Sequence, residues 1–269
     1  FAHKKSVGEK ITILTAYDYP TARLLDEAGI DGILVGDSVG NVILGYDTTI
    51  PVTMDEMVHH TKAVARGSKG ALIIGDMPFL TYHTGTEDAL RNAGRFLQEG
   101  GAQAVKLEGG SERAEVIKSL VQAGIPVMGH LGLTPQSVHQ LGGFKVQGRT
   151  EAAAKKLLED AMALEQAGVF AIVLECIPAG LAKRVTDSVN IPTIGIGAGP
   201  ACDGQVLVTQ DMLGLNGADA PKFVKQFCNL KDLMLAGIRA YSEEVKTGEF
   251  PAPEQTFQPL EQGEIKKLY

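Results

Sequence analysis

Residues 104–110 read AVKLEGG. The stretch begins as an apolar strand, then carries Lys106 and Glu108 before it ends in Gly109-Gly110. Side chains two apart on a strand share a face, so the two charges project together from its end. Runs of the same kind recur outward from it: ITILTAYD (11–18), DGILVGDS (31–38), ALIIGDMP (71–78), PVMGHLGL (126–133), FAIVLECI (170–177) and PTIGIGAG (192–199). Helical patterns separate them. One runs from Pro20 to Gly29, others lie near 53–66 and 86–99, a fourth runs from a Ser111 cap to Gly124, and a long one spans about 151–167. Near-continuous apolar strands alternating with helices imply parallel strands covered on their outer side. Seven such units and one more make a (β/α)8 TIM-type barrel.

The count is less clean at its end. QVLVTQDML (205–213) is the remaining strand, but few residues separate it from the seventh, and a parallel crossover normally takes a dozen or more. Either the seventh helix is nearly absent or the seventh unit is irregular. A helical stretch is expected from about 219 to Lys246, followed by an extended tail, TGEFPAPEQTFQPL, from about 247. The whole of 1–269 reads as a single barrel domain with that tail.

The composition suits this architecture. The 269 residues are 44% hydrophobic and 21% charged, enough for a large core. A net charge of −7 disfavours nucleic acid or an anionic membrane as partner. Three scattered cysteines, Cys176, Cys202 and Cys228, without CxxC, favour a reducing cytosol over a disulfide framework. No apolar run is long enough for a membrane span, and no charged and then apolar leader pattern opens the sequence.

Barrels of this kind carry their reactive groups at the C-terminal ends of the strands. Those ends hold Tyr17-Asp18, Asp37-Ser38, Asp76, Lys106 with Glu108, His130, Glu175, and the glycine-rich GIGAG. Each has a plain structural alternative: Asp18, Asp37 or Asp76 as a helix cap or turn residue, Lys106–Glu108 as an ion pair, and His130 as a satisfied core histidine. His59-His60 reads as a solvated helix face, and His3, His83 and His139 form no zinc spacing with a cysteine. GIGAGP fails the GxGxxG spacing and reads as close backbone packing. The convergence of acids on one rim calls for cations. Lys106 is one, and hard carboxylate donors suit Mg²⁺ for another. Asp37 and Asp76 suffice as its direct ligands, with Glu108 holding a metal-bound water.

The strings GDSVGNVILGYDTTIPVTMDEM, DMPF, VKLEGG, GHLGLTPQSVHQLGGFKVQGR, VLECIP and IGIGAG together resemble the ketopantoate hydroxymethyltransferase family over nearly the whole chain. That family belongs with the barrels similar to phosphoenolpyruvate mutase and isocitrate lyase. The resemblance implies transfer of a hydroxymethyl group from 5,10-methylenetetrahydrofolate to 3-methyl-2-oxobutanoate, giving 2-dehydropantoate for pantothenate and coenzyme A synthesis. It implies chemistry through an enolate stabilised by one Mg²⁺ per subunit, in a cytoplasmic homodecamer, a pentamer of dimers. By the same resemblance Asp37, Asp76 and Glu108 are associated with the metal, and Asp37 and Asp76 thereby border the substrate. Ser38 and Lys106 contact the oxo acid, His130 lies at the same pocket, and Glu175 is the general base. The apolar run before Glu175 is expected to raise its pKa. The family often reads EHSF where this chain has EQTF (254–257), which assigns residue 255 no role. Two other readings remain: another Mg²⁺-dependent 2-oxo acid lyase or mutase of the same superfamily, which would use similar strand-end acids, and a non-catalytic ligand-binding barrel, which the composition allows but which has no need of convergent acids beside a lysine.

Overall fold

The computed structural model describes residues 1–216 and 221–257. Eight parallel strands close into a barrel in sequence order, β8 pairing with β1. They are β1 (Ile11–Thr15), β2 (Gly32–Val35), β3 (Leu72–Asp76), β4 (Ala104–Glu108), β5 (Val127–Gly132), β6 (Ala171–Glu175), β7 (Thr193–Ile196) and β8 (Gly204–Leu207). The helices are α1 (Ala2–Val7), α2 (Tyr19–Glu27), α3 (Met54–Gly67), α4 (Thr86–Gln98), α5 (Ala114–Gln122), α6 (Val138–Leu141), α7 (Glu151–Ala167), α8 (Ala179–Ser188), α9 (Thr209–Met212) and α10 (Leu230–Thr247).

The strand period sorts the core into two layers. Inward residues such as Ile13, Leu34, Ile74, Ala104, Met128, Val173 and Ile194 fill the barrel. Their neighbours Ile33, Ile73, Val105, Leu107, Val127, Ile172 and Leu174 point out and pack under the helices. Burying apolar surface on both faces stabilises the sheet by about 25 cal/mol per Å² and accounts for strands without polar alternation. Gly75 lets one helix approach: a Cβ there would lie 2.2 Å from the Phe96 ring of α4.

Local signals place several helix ends. The Asp18 carboxylate accepts from Thr21 N at 2.7 Å and caps α2, the plain structural role open to it. Thr53 and Glu56 form a reciprocal capping box at α3. Ser111, expected to be a cap, instead opens a 3₁₀ turn (Ser111–Arg113) before α5, and its hydroxyl accepts from Lys156 Nζ.

The irregular seventh unit is as expected: no helix lies between Ile196 and Gly204, and β7 and β8 share only two register pairs. The expected strand over 205–213 is divided, because Thr209 N donates to Thr15 Oγ1 at 3.1 Å and the chain turns into α9. The helix expected from about 219 begins at Leu230, positions 219 and 220 lying outside the described residues. In the C-terminal segment the Tyr241 and Phe250 rings meet at 5.6 Å and a 3₁₀ turn spans Pro253–Gln255, while 258–269 lie outside the described residues. The periodicity did not anticipate α1. It crosses the N-terminal end of the barrel, where Lys5 Nζ pairs with Asp203 at 2.9 Å and the Phe1 ring packs on Phe170. Among the described residues no helix is long and apolar enough to cross a membrane.

Candidate active site

Ala104 belongs to the layer inside the barrel, so Lys106 and Glu108, two and four residues on, face the same interior. The register carries neighbouring strands to the same height: Asp76 pairs with Lys106, Glu108 with His130, and His130 with Val173, two residues before Glu175. Gly36 follows β2 and delivers Asp37 and Ser38 to this level. The strand ends thus bring together all seven residues singled out from the sequence.

The interior is densely charged. Asp37, Asp76, Lys106, Glu108 and His130 are all buried. Lys106 Nζ donates to Asp76 Oδ2 at 2.9 Å and to Glu108 Oε1 at 3.3 Å. Asp37 N donates to the same Asp76 oxygen at 3.2 Å, while Asp76 Oδ1 has no hydrogen-bond partner. His130 bridges two acids: Nδ1 lies 3.3 Å from Glu108 Oε1, and Nε2 3.2 Å from Glu175 Oε2. Both are charge contacts poorly aligned for hydrogen bonding. Ser38 Oγ shares a 2.8 Å hydrogen bond with the Tyr17 hydroxyl.

Protonation divides along these contacts. Burial, with Asp76 beside it, holds the Asp37 carboxyl well above the usual range. Burial also raises Asp76, against the pull of Lys106. For Glu108 burial is outweighed by Lys106 and His130, and its pKa falls to about 2. Burial and Lys106 oppose charge on His130, but contacts to Glu108 and Glu175 prevail and raise it to about 9. Burial likewise opposes charge on Lys106, and its three acid neighbours overcome it. Glu175 ends the apolar run of β6 and is faced by the His130 ring.

Gln136 and Tyr82 complete the site and had no role in the sequence reading. Gln136 Nε2 donates to Asp37 Oδ2 and to Met77 O, each at 2.9 Å, and its backbone N donates to Glu108 Oε2 at 3.1 Å. Tyr82 donates its hydroxyl proton to Gln136 Oε1 at 2.6 Å. Gln136 follows β5 in a 3₁₀ turn (Pro135–Ser137), and nothing in a single TPQS string shows which way that turn aims it. The glycine-rich end of β7 is close backbone packing, as expected: at Gly197, φ +64°, a Cβ would meet the Phe223 ring at 2.9 Å.

Above this polar floor a cavity of about 410 Å³ opens, walled by Val42, Leu133, Phe144, Val146 and Phe223. The arrangement can bind a small anion against Lys106, hold a hard cation between Asp37 and Asp76, and present a carboxylate, Glu175, at the edge of the cavity. Cys176 also lines it, but burial and the Glu175 charge push its thiol up to about 11, unlike a reactive nucleophile.

Known proteins resemble this chain in sequence and in fold. A protein of Syntrophomonas wolfei subsp. wolfei named 3-methyl-2-oxobutanoate hydroxymethyltransferase is 60% identical over 266 residues, covering 99% of this chain and 96% of that protein. Two solved structures share the fold. Phosphonopyruvate hydrolase in complex with oxalate and Mg²⁺ has a TM-score of 0.62 at 13% identity, covering 94% of this chain and 91% of that one. 2,3-Dimethylmalate lyase, described as a PEP mutase/isocitrate lyase superfamily member, has a TM-score of 0.58 at 17% identity, covering 96% and 90%. The sequence profile of ketopantoate hydroxymethyltransferase matches residues 1–253, and the chain belongs to that family.

Proposed function

We propose that the chain joins 3-methyl-2-oxobutanoate to the methylene carbon of 5,10-methylenetetrahydrofolate with uptake of one water, forming 2-dehydropantoate on the route to pantothenate and releasing tetrahydrofolate. The observation that carries this reading is the buried Lys106 among Asp37, Asp76 and Glu108, with Glu175 at the edge of the same cavity. It is the site a small 2-oxo acid requires: positive charge for its carboxylate and a base beside its acidic carbon.

Asp37 and Asp76 are the residues to hold Mg²⁺. Among the described residues no three acidic, His or Cys side chains form a ready metal cage, but Mg²⁺ takes one or two carboxylates and leaves its other positions to water or substrate. The buried, unpartnered Asp76 Oδ1 fits that donor set. When bound, the ion polarises the keto group of the oxo acid. Glu108, already accepting from Lys106 and Gln136 N, serves as a neighbour that orients what the ion holds.

Lys106 meets the substrate carboxylate, and Ser38, set by Tyr17, gives it a hydroxyl. Glu175 takes the proton from C3, and His130 beneath it steadies the carboxylate. The upper cavity leaves room above the oxo acid for the folate and for the water that the reaction consumes.

The chain works as a single barrel domain over 1–269, in the cytoplasm, as a decamer built from five dimers. Met234, Ile238, Tyr241 and Val245 support the assembly: they form an exposed stripe along α10 that a neighbouring copy would cover. The testing experiment is exchange of the C3 hydrogen of 3-methyl-2-oxobutanoate in D₂O. Exchange that requires Mg²⁺ and proceeds without folate is expected, and no exchange under any condition would defeat the assignment.

A further inference from the structure

Gln136 joins three parts of the site that are far apart in the chain. Its side-chain NH₂ spends both donors, one on Asp37 Oδ2 and one on Met77 O. A backbone carbonyl can only accept, so the amide orientation is determined: the NH₂ faces Met77 and Asp37, and Oε1 faces Tyr82. Tyr82 locks it from behind. Its hydroxyl oxygen accepts from Glu108 N at 3.2 Å, which turns its proton toward Gln136 Oε1. The circuit closes where Gln136 N donates to Glu108 Oε2. All of these groups are buried, so no water substitutes for a lost partner without being newly admitted.

From this circuit we infer that Gln136 is a positioning residue, which, through Tyr82, holds the Asp37 carboxylate in the rotamer that presents it with Asp76 to a divalent cation. The inference rests on the metal reading given above. Gln136 engages Asp37 through Oδ2, and Lys106 engages Asp76 through Oδ2, so each acid is pinned by one oxygen and Asp76 keeps Oδ1 without a partner. Pinning both acids in advance removes the cost of ordering them when the ion arrives.

The test is a Mn²⁺ titration followed by the electron paramagnetic resonance signal of the free ion, with no substrate present, on the wild type, Gln136→Met and Tyr82→Phe. Gln136→Met keeps the backbone bond to Glu108 but loses the side-chain donors. It is expected to raise the Mn²⁺ Kd by about 10–100-fold, the usual effect of removing a group that orients a metal ligand. Tyr82→Phe frees the back of the amide and also the backbone N of Glu108, and is expected to raise Kd several-fold with unchanged circular dichroism. In the double variant the Tyr82 change should add little, and full additivity would mean that it acts through Glu108 N rather than through Gln136, overturning the route through Tyr82. A wild type that binds Mn²⁺ with both variants binding equally well overturns the positioning role alone. A wild type that binds no Mn²⁺ overturns the metal reading and this one together. If Gln136→Met does not fold, Tyr82→Phe decides: an unchanged Kd refutes the inference and a raised one upholds it.

Discussion

Lys106 Nζ lies 2.9 Å from Asp76 Oδ2, and both side chains are buried inside the barrel. Lys106 supplies positive charge to three acids, so removing it leaves Asp37 and Asp76 without that cation and Glu108 with His130 alone. Lys106→Met is expected to destabilise the metal-free protein by about 3–5 kcal/mol, the usual effect of breaking a buried pair. The loss should shrink as pH falls, because protonated carboxyls need no cation. Urea unfolding at pH 7 and pH 5 measures both effects, and equal stability of variant and wild type at pH 7 would contradict them.

Glu175 is reached by one ring nitrogen of His130 and otherwise borders the open cavity. Glu175→Gln keeps the shape and removes the base. Its C3 exchange should fall by about 10²–10⁴-fold, the typical contribution of a general base, while oxo acid binding changes little. Exchange at the wild-type rate would move the base to another residue.

His130 titrates high because Glu108 and Glu175 outweigh burial and Lys106, which oppose its charge. A histidine pKa raised on folding contributes stability fully below its unfolded value, about 6.5. That contribution is lost as pH rises through about 9. The metal-free wild type should therefore lose stability between these values, and His130→Gln should flatten that part of the profile. Denaturant midpoints across the range, with NMR titration of the ring, provide the check. An ordinary imidazole pKa would refute the charge contacts.

The stripe of Met234, Ile238, Tyr241 and Val245 follows i, i+4, i+7, i+11 spacing along α10, which has no buried residue in the isolated chain. Ile238→Asp is expected to split a large assembly into smaller species in sedimentation velocity while leaving the barrel's circular dichroism intact. An unchanged sedimentation coefficient would place the contact between copies elsewhere.

Much of this was legible because it depends on short-range periods. Period two puts Lys106 and Glu108 on one face, and strands without polar alternation require cover on both sides, so the barrel and its charged rim follow from pattern. The caps at Asp18 and Thr53 are local in the same sense. Errors arose where a distant contact overrode local preference. Thr15, on the adjacent β1, ends β8 by bonding Thr209, and Lys156 occupies the hydroxyl of Ser111. Helix α1 has six residues, too few for its period to register, and it is held by Asp203 at the far end of the chain.

The sequence by itself therefore determined the barrel, the identity of the converging charges and the family to which they point. Only the tertiary structure decided how those charges are shared. Glu108 Oε1 stands 3.3 Å from both Lys106 and His130, so whether it serves either of them or a cation depends on contacts within and across two adjacent strands. That Gln136 unites Asp37, Met77 and Tyr82 depends on where one turn aims an amide. Burial in a low-dielectric interior makes such distances decisive, and no spacing along the chain encodes them.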